Sequence, residues 1–262
     1  MTPPRVLSIA GSDSSGGAGI QADIKTVTML GGYAMSAITA ITAQDTTGVH
    51  AVEVLSPEMV IAQVDACLSD IGADAVKIGM LGSAEIAHAV ADRLDSFAGA
   101  IVFDPVMVAT SGAALADAET IAAFERLMAI ATVVTPNLPE LEVLSGSALA
   151  HTEAIVDAAL ALAAKHDCDV LAKGGHAGGA QVSDWIVTPA GEAAMFTHHR
   201  FDTKHTHGTG CTLSSALATF LARRQPVSHA VRLARQFVFS AIENAPGLGA
   251  GNGPLGHQAV RG

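Results

Sequence analysis

Residues 202–216 read Asp-Thr-Lys-His-Thr-His-Gly-Thr-Gly-Cys-Thr-Leu-Ser-Ser-Ala, and the rest of the chain is read outward from them. Extended polar residues lead into His207-Gly208-Thr209-Gly210-Cys211. The small and apolar run Thr212–Ala222 then has the length and composition of a buried helix. Two glycines at a helix start let backbone N–H groups converge on an anion, where the helix dipole already favours negative charge. Cys211 falls in the first helical turn, where a thiol pKa is expected to be lowered. A phosphate cradle beside a polarised thiol points to phosphoryl transfer. The same residues also fit an ordinary glycine-rich loop before a core helix.

The flanking sequence supplies the architecture. Short apolar runs at 5–10, 33–43, 49–55, 75–78, 100–103, 132–135 and 170–173 predict strands, and 182–187 with 192–197 around Pro189-Ala-Gly191 predicts a hairpin. Helices are predicted over 20–30, 57–70, 117–130, 136–144, 152–165, 209–224 and 227–244, with a further one opened by Ser83. Ser56-Pro57 marks one start, serine as cap and proline in the first turn. The tail 246–262 is rich in glycine and is expected to be irregular. Strands alternating with helices define an α/β fold with a mainly parallel sheet. No linker divides the chain, so one domain over 1–262 is expected. In such sheets ligands bind beyond the C-terminal strand ends. The polar or glycine-rich clusters 11–19, 79–82, 104–112, 135–140 and 173–179 all fall there.

Composition narrows the partners. Of 262 residues, half are hydrophobic and only 15% charged, which argues against disorder, and a net charge of −11 disfavours nucleic acid and anionic membranes. An anionic ligand must therefore be held locally, by backbone amides and a few placed cations. Cys67, Cys168 and Cys211 lack paired spacing, so neither disulfides nor structural zinc are expected. No charged-then-apolar leader is read at the N-terminus, and a soluble cytoplasmic protein is expected.

Gly11 to Gly19 must be weighed against the nucleotide fingerprints. Gly11-x4-Gly16 begins like a P-loop, but Gly17 stands where lysine is required. Gly17-x-Gly19-x-x-Ala22 fits a loose dinucleotide pattern, which leaves Lys173 and the 208–211 stretch unexplained. Asp23 and Gln44 are candidates for a heterocycle with ring nitrogens and an amino group, with Gln44 able to donate and accept. Asp104, closing a buried strand before Pro105, and the Asn137/Glu140 pair offer hard oxygen ligands for Mg²⁺. Asn137 and Glu140 equally fit a helix cap and its capping-box partner. Lys173 ends an apolar strand, a costly place for a charge unless an anion such as phosphate meets it. His198, His199, His205 and His207 have no spacing that favours a metal site.

Taken together, the blocks IAGSDSSGGAGIQADIKT (9–26), TAQDTTGV (42–49), KIGML (77–81), DPVM (104–107), TPNLPE (135–140), KGGH (173–176) and 202–216 resemble the hydroxymethylpyrimidine/phosphomethylpyrimidine kinase family of thiamine biosynthesis. Gly249 to Pro254 resembles its C-terminal signature. The resemblance implies a ribokinase-like fold. It also implies ATP- and Mg²⁺-dependent phosphorylation of 4-amino-5-hydroxymethyl-2-methylpyrimidine, then of its monophosphate, by a homodimer. A pyridoxal or pyridoxine kinase of the same fold is the alternative. Carried over by position, Gln44, Asp23, Gly11, Met80 and Val106 would bind the aminopyrimidine, and Gly208, Thr209, Gly210 and Cys211 would form the anion hole, with Cys211 as base. Lys173 would meet the ATP phosphates, with Thr209 and Asn137 beside the nucleotide. Asp104, Asn137 and Glu140 would organise Mg²⁺ and its waters. Three positions depart from the family pattern: Asp45, Thr110 and His205 stand where Asn, Lys and Asn are common.

Overall fold

The structure is a computed structural model that describes residues 2–109, 112–176, 180–191 and 193–260. Strands β1 (Arg5–Asp13), β2 (Tyr33–Gln44), β3 (Val49–Val54), β4 (Ala75–Ile78), β5 (Ala100–Phe103), β6 (Val133–Val134), β7 (Asp169–Ala172), β8 (Gln181–Val187) and β9 (Ala193–His199) form one sheet. Its order is β3-β2-β1-β4-β5-β6-β7-β8-β9. The pairs from β2 across to β7 are parallel, while β2/β3, β7/β8 and β8/β9 at the edges are antiparallel. The expected start of the second hairpin strand, Glu192, lies outside the described residues, as does Thr110.

The helices are α1 (Gly19–Met29), α2 (Pro57–Asp70), α3 (Ala84–Leu94), α4 (Ala118–Met128), α5 (Leu138–Ser145), α6 (Thr152–His166), α7 (Thr209–Ala222) and α8 (Val227–Glu243). Ser56 and Ser83 accept from the N–H groups of Met59 and Ile86, the caps expected of serines before apolar periodicity. Asp117, expected inside α4, is its cap and accepts from Thr120.

Both faces of the sheet are covered, and the alternation of strand residues shows how. Leu7, Ile9, Val76, Ile78, Ile101 and Phe103 point into a core shared with α2, α3, α4 and α6. Val6, Ala75 and Val102 point the other way, into a core with α1, α7 and α8. Because side chains alternate along a strand, Ser8 and Lys77 join Val6 and Ala75 on the α1/α7 face. They are direct neighbours in the β1/β4 register. Two polar residues thus enter a buried layer beneath the helix that begins with the glycine motif.

Strand β1 outlasts its expected end at Ala10. Its pairing with β2 continues through Ser12 and Asp13 after a register shift at Gly11. A bulge keeps the ladder going where composition alone suggests a loop. A Cβ at Gly11 would come within 2.5 Å of Met80 Cε, so a larger residue there would displace the end of the Met80 side chain. The tail is ordered by packing. Asn252 N–H donates to Thr46 O, His207 N–H donates to Gly253 O, and a short 3-10 turn spans His257–Ala259.

Candidate active site

The chain reverses direction across the sheet at β1, with β2 on one side and β4 on the other. A cavity of about 900 Å³ lies across the C-terminal strand ends there. The residues expected at the site, Gly11, Gln44, Met80, Asp104, Val106, Asn137, Glu140, Lys173 and Gly208 through Cys211, all line it. Asp23 does not.

Gly208 caps α7 in the left-handed region, φ +83°, and offers no side-chain cap, so the helix start faces the cavity with backbone alone. A Cβ at Gly208 would lie 1.9 Å from Gly17 O, which ties the helix start to the glycine loop after β1. A Cβ at Gly210 would sit 3.4 Å from Asp104 Oδ2 and 3.5 Å from Lys173 Nζ, so the ion pair borders the cradle. Gly208→Ala combines left-handed strain, about 1–3 kcal/mol, with a backbone collision. It is expected to lower the melting temperature and to cost phosphoryl transfer about 10²-fold or more, whereas Gly210→Ala is the milder change. Thermal melts and turnover of the two variants check this ordering.

Lys173 follows the last residue of β7 and donates to Asp104 Oδ1 at 2.8 Å, an oxygen that also accepts from Thr135 at 3.0 Å. Asp104 is buried, and burial alone would raise its pKa. Lys173 and Lys77 outweigh that and hold it below the usual carboxylate range. Asn137 caps α5, accepting from Glu140 N–H at 2.9 Å while Glu140 Oε2 accepts from Asn137 N–H at 2.7 Å, a full capping box. Burial pushes Glu140 up to about 7, with Asp104 adding to the rise and Lys173 opposing it.

Two expectations need correction. Asp23, expected to bind the heterocycle, is completely buried on the sheet-facing side of α1. It accepts from Lys77 at 2.9 Å, Ser8 at 2.5 Å and Ser215 at 2.6 Å and does not reach the cavity. The physical reason is helical spacing, which puts Asp23 on the same buried face as Ile20 and Val27. Cys211 was expected to have a lowered pKa. Burial instead pushes its thiol up to about 11, with Asp23 and Asp104 adding to the rise. Lys77 and the N–H of Gly19 act against it without overcoming it. The helix start alone does not make a thiolate here.

The metal set is also looser than a cage. Asn137 Oδ1 and Glu140 Oε2 are committed to the cap, and Asp104 Oδ1 to Lys173 and Thr135. Among the described residues no three His, Cys, Asp or Glu side chains converge as metal ligands. His198 instead packs its ring on Phe239, centroids 4.0 Å apart, at the far end of the cavity. Asp45, one of the departures, organises an exposed turn by accepting from Thr47, Gly48 and His50. His205, another, sits against Gly253, where a Cβ would lie 2.2 Å from its Nδ1.

Sequence reasoning missed four contributors. Lys77 was legible as a lysine inside an apolar strand. Asp13 and His207 pair at 2.8 Å across 194 positions, with no local signal. Asp184 accepts from Gly174 N–H at 2.7 Å and pairs with Arg235, anchoring the backbone next to Lys173.

A mainly parallel sheet with a glycine-started helix, a lysine and two carboxylates around one cavity defines a small-molecule kinase of the ribokinase-like class. The chain belongs to the phosphomethylpyrimidine kinase family, whose model matches residues 13–256. It is 48% identical to a hydroxymethylpyrimidine/phosphomethylpyrimidine kinase of Rhizobium meliloti, over 96% of each chain. Its structure resembles the phosphomethylpyrimidine kinase of Clostridium difficile, with a TM-score of 0.80 and 38% identity over 91% of this chain and 99% of that one. It also resembles the pyridoxal kinase of Staphylococcus aureus in complex with AMP-PCP and pyridoxal, TM-score 0.90 and 36% identity, covering 99% and 95%.

Proposed function

We propose that this protein phosphorylates 4-amino-5-hydroxymethyl-2-methylpyrimidine and then its monophosphate with ATP, as a step in thiamine biosynthesis. The observation that carries this reading is the alignment, in one cavity, of the 208–211 helix start, Lys173 and the Gln44 end. Phosphoryl transfer asks mainly for positioning and charge stabilisation. The helix start and Lys173 stabilise the negative charge of the phosphoryl group as it passes from ATP to the acceptor oxygen. Gln44, Gly11, Met80 and Val106 hold the ring, and Thr209 and Asn137 flank the nucleotide phosphates. Cys211 takes the proton of the hydroxymethyl group in the first step.

Mg²⁺ fits the donor set through water. Asp104 and Glu140 bring two carboxyl groups to one lysine, and burial pushes Glu140 up to about 7, so a cation beside it would favour its ionised form. When bound, the ion neutralises phosphate charge. Glu140 and the second oxygen of Asp104 would orient its waters. Among the described residues no helix is long and apolar enough to cross a membrane; we place the protein in the cytoplasm, where ATP is supplied. Exposed Ile41, Val52 and Val54 on the β2/β3 edge favour a homodimer over that face.

ATP consumption with the pyrimidine alcohol is expected to yield monophosphate and then diphosphate, identified by mass. The likeness to a pyridoxal-bound kinase favours pyridoxal as a second acceptor. A strong preference for pyridoxal over the pyrimidine would overturn the first reading.

A further inference from the structure

His207 precedes the anion-hole glycines and is buried, with Nε2 2.8 Å from Asp13 Oδ2. The same carboxylate oxygen accepts from Gly17 N–H at 3.1 Å, Ala18 N–H at 2.8 Å and the Ser15 hydroxyl at 2.9 Å. Burial would raise Asp13, but His207 and these donors bring it down to about 2. An ionised carboxylate only accepts, so the proton between the pair sits on His207 Nε2.

That nitrogen also lies 3.4 Å from the amide nitrogen of Gln44. The amide oxygen is 3.2 Å from Thr42 Oγ1, which is itself 3.1 Å from the Ser12 carbonyl. The two ends of a glutamine amide have the same shape, and hydrogen-bond partners decide between them. With nitrogen toward His207, a donor faces a donor, and the single Thr42 proton must serve two acceptors. A half-turn of the amide eases both conflicts. Its nitrogen then donates to Thr42, Thr42 donates to Ser12, and its oxygen becomes a second, longer acceptor for the His207 N–H, whose main partner stays Asp13 at 2.8 Å.

We infer that Asp13 and His207 are a positioning pair that locks the Gln44 amide in one orientation and thereby sets which heterocycle the acceptor site takes. The inference rests on the proposed function. An aminopyrimidine offers an amino donor beside a ring-nitrogen acceptor, an edge that a locked amide can complement. Pyridoxal has oxygen substituents and no amino group there. An amide free to flip serves both.

Three variants test the pair. His207→Leu removes the donor, while His207→Gln restores an N–H at similar reach. Gly17→Ala places a Cβ 2.4 Å from His207 Cδ2 and displaces the ring while leaving both partners intact. The ratio of kcat/KM for the pyrimidine alcohol over pyridoxal is expected to fall about tenfold in His207→Leu and Gly17→Ala, mainly through KM, and to recover in His207→Gln. In ¹⁵N spectra without substrate, the Gln44 side-chain N–H resonances should be well separated in wild type and His207→Gln and should shift and converge in His207→Leu. Unchanged Gln44 resonances, equal losses on both acceptors, or a His207→Gln variant as impaired as His207→Leu would each overturn the inference. A wild-type enzyme inactive on the pyrimidine would instead sink the proposed function, while the Gln44 resonances still decide the locking.

Discussion

Cys211→Ala is expected to slow the first phosphorylation by about 10²–10⁴-fold, the span of a lost general base, and to leave the second within about tenfold of wild type. The two acceptors differ in what they need. A hydroxymethyl oxygen is a poor nucleophile while protonated, whereas a phosphate monoester, with a second pKa near about 6, is already largely ionised at neutral pH. Burial holds the Cys211 thiol up to about 11, so at neutral pH it is protonated in the free enzyme. Its thiolate fraction therefore grows about tenfold for each pH unit below that value. The wild-type rate of the first step should climb with pH above neutral, and the second should stay flat. The alanine variant should lose the climb. Steady-state rates on the alcohol and on the monophosphate, each taken from pH 6 to about 10, read this out directly. Equal losses on both acceptors would mean that Cys211 shapes the anion hole and takes no proton.

The cradle was legible because its chemistry is local. Glycines before a small apolar run announce a helix start, and Asn137 three residues before Glu140 announces a cap whose geometry follows. Residues organised by long-range pairing were not legible. Gly11 looked like the first residue of a loop because a bulge leaves no compositional mark. His207 and Asp13 meet only once β1 and the start of α7 are brought together. Asp23 was misplaced for a different reason. Its position one helical turn beyond the glycines suggested a binding role, while its spacing from Ile20 and Val27 put it in the buried layer. The departure of Cys211 from expectation has the same origin. The helix start was visible in the chain, but the burial that outweighs it belongs to the assembled fold.

Lys77→Met is expected to destabilise the protein by about 3–5 kcal/mol, the cost of leaving one buried charge without its partner. Lys77 and Asp23 are both fully buried and 2.9 Å apart. Burial by itself would lower the Lys77 pKa, yet Asp23, Cys211 and Asp104 hold it above the ordinary lysine range. Methionine matches much of the lysine's volume, so the packing beneath α7 is largely kept and the loss reports charge. Asp23 would retain its bonds from Ser8 and Ser215, which satisfy lone pairs but bring no positive charge. Adding Asp23→Asn to Lys77→Met removes the stranded charge and should recover much of the deficit, since a neutral pair in a buried layer can equal an ion pair. Urea unfolding of the wild type, both single variants and the double variant closes the cycle. If Lys77→Met costs under about 1 kcal/mol, or the double variant is no better than the single, the pair is not what stabilises this layer. If stability falls as expected, activity measured on the folded fraction isolates the second role of Lys77. Without the cation that draws the Cys211 thiol down, the first phosphorylation should slow while the second is spared.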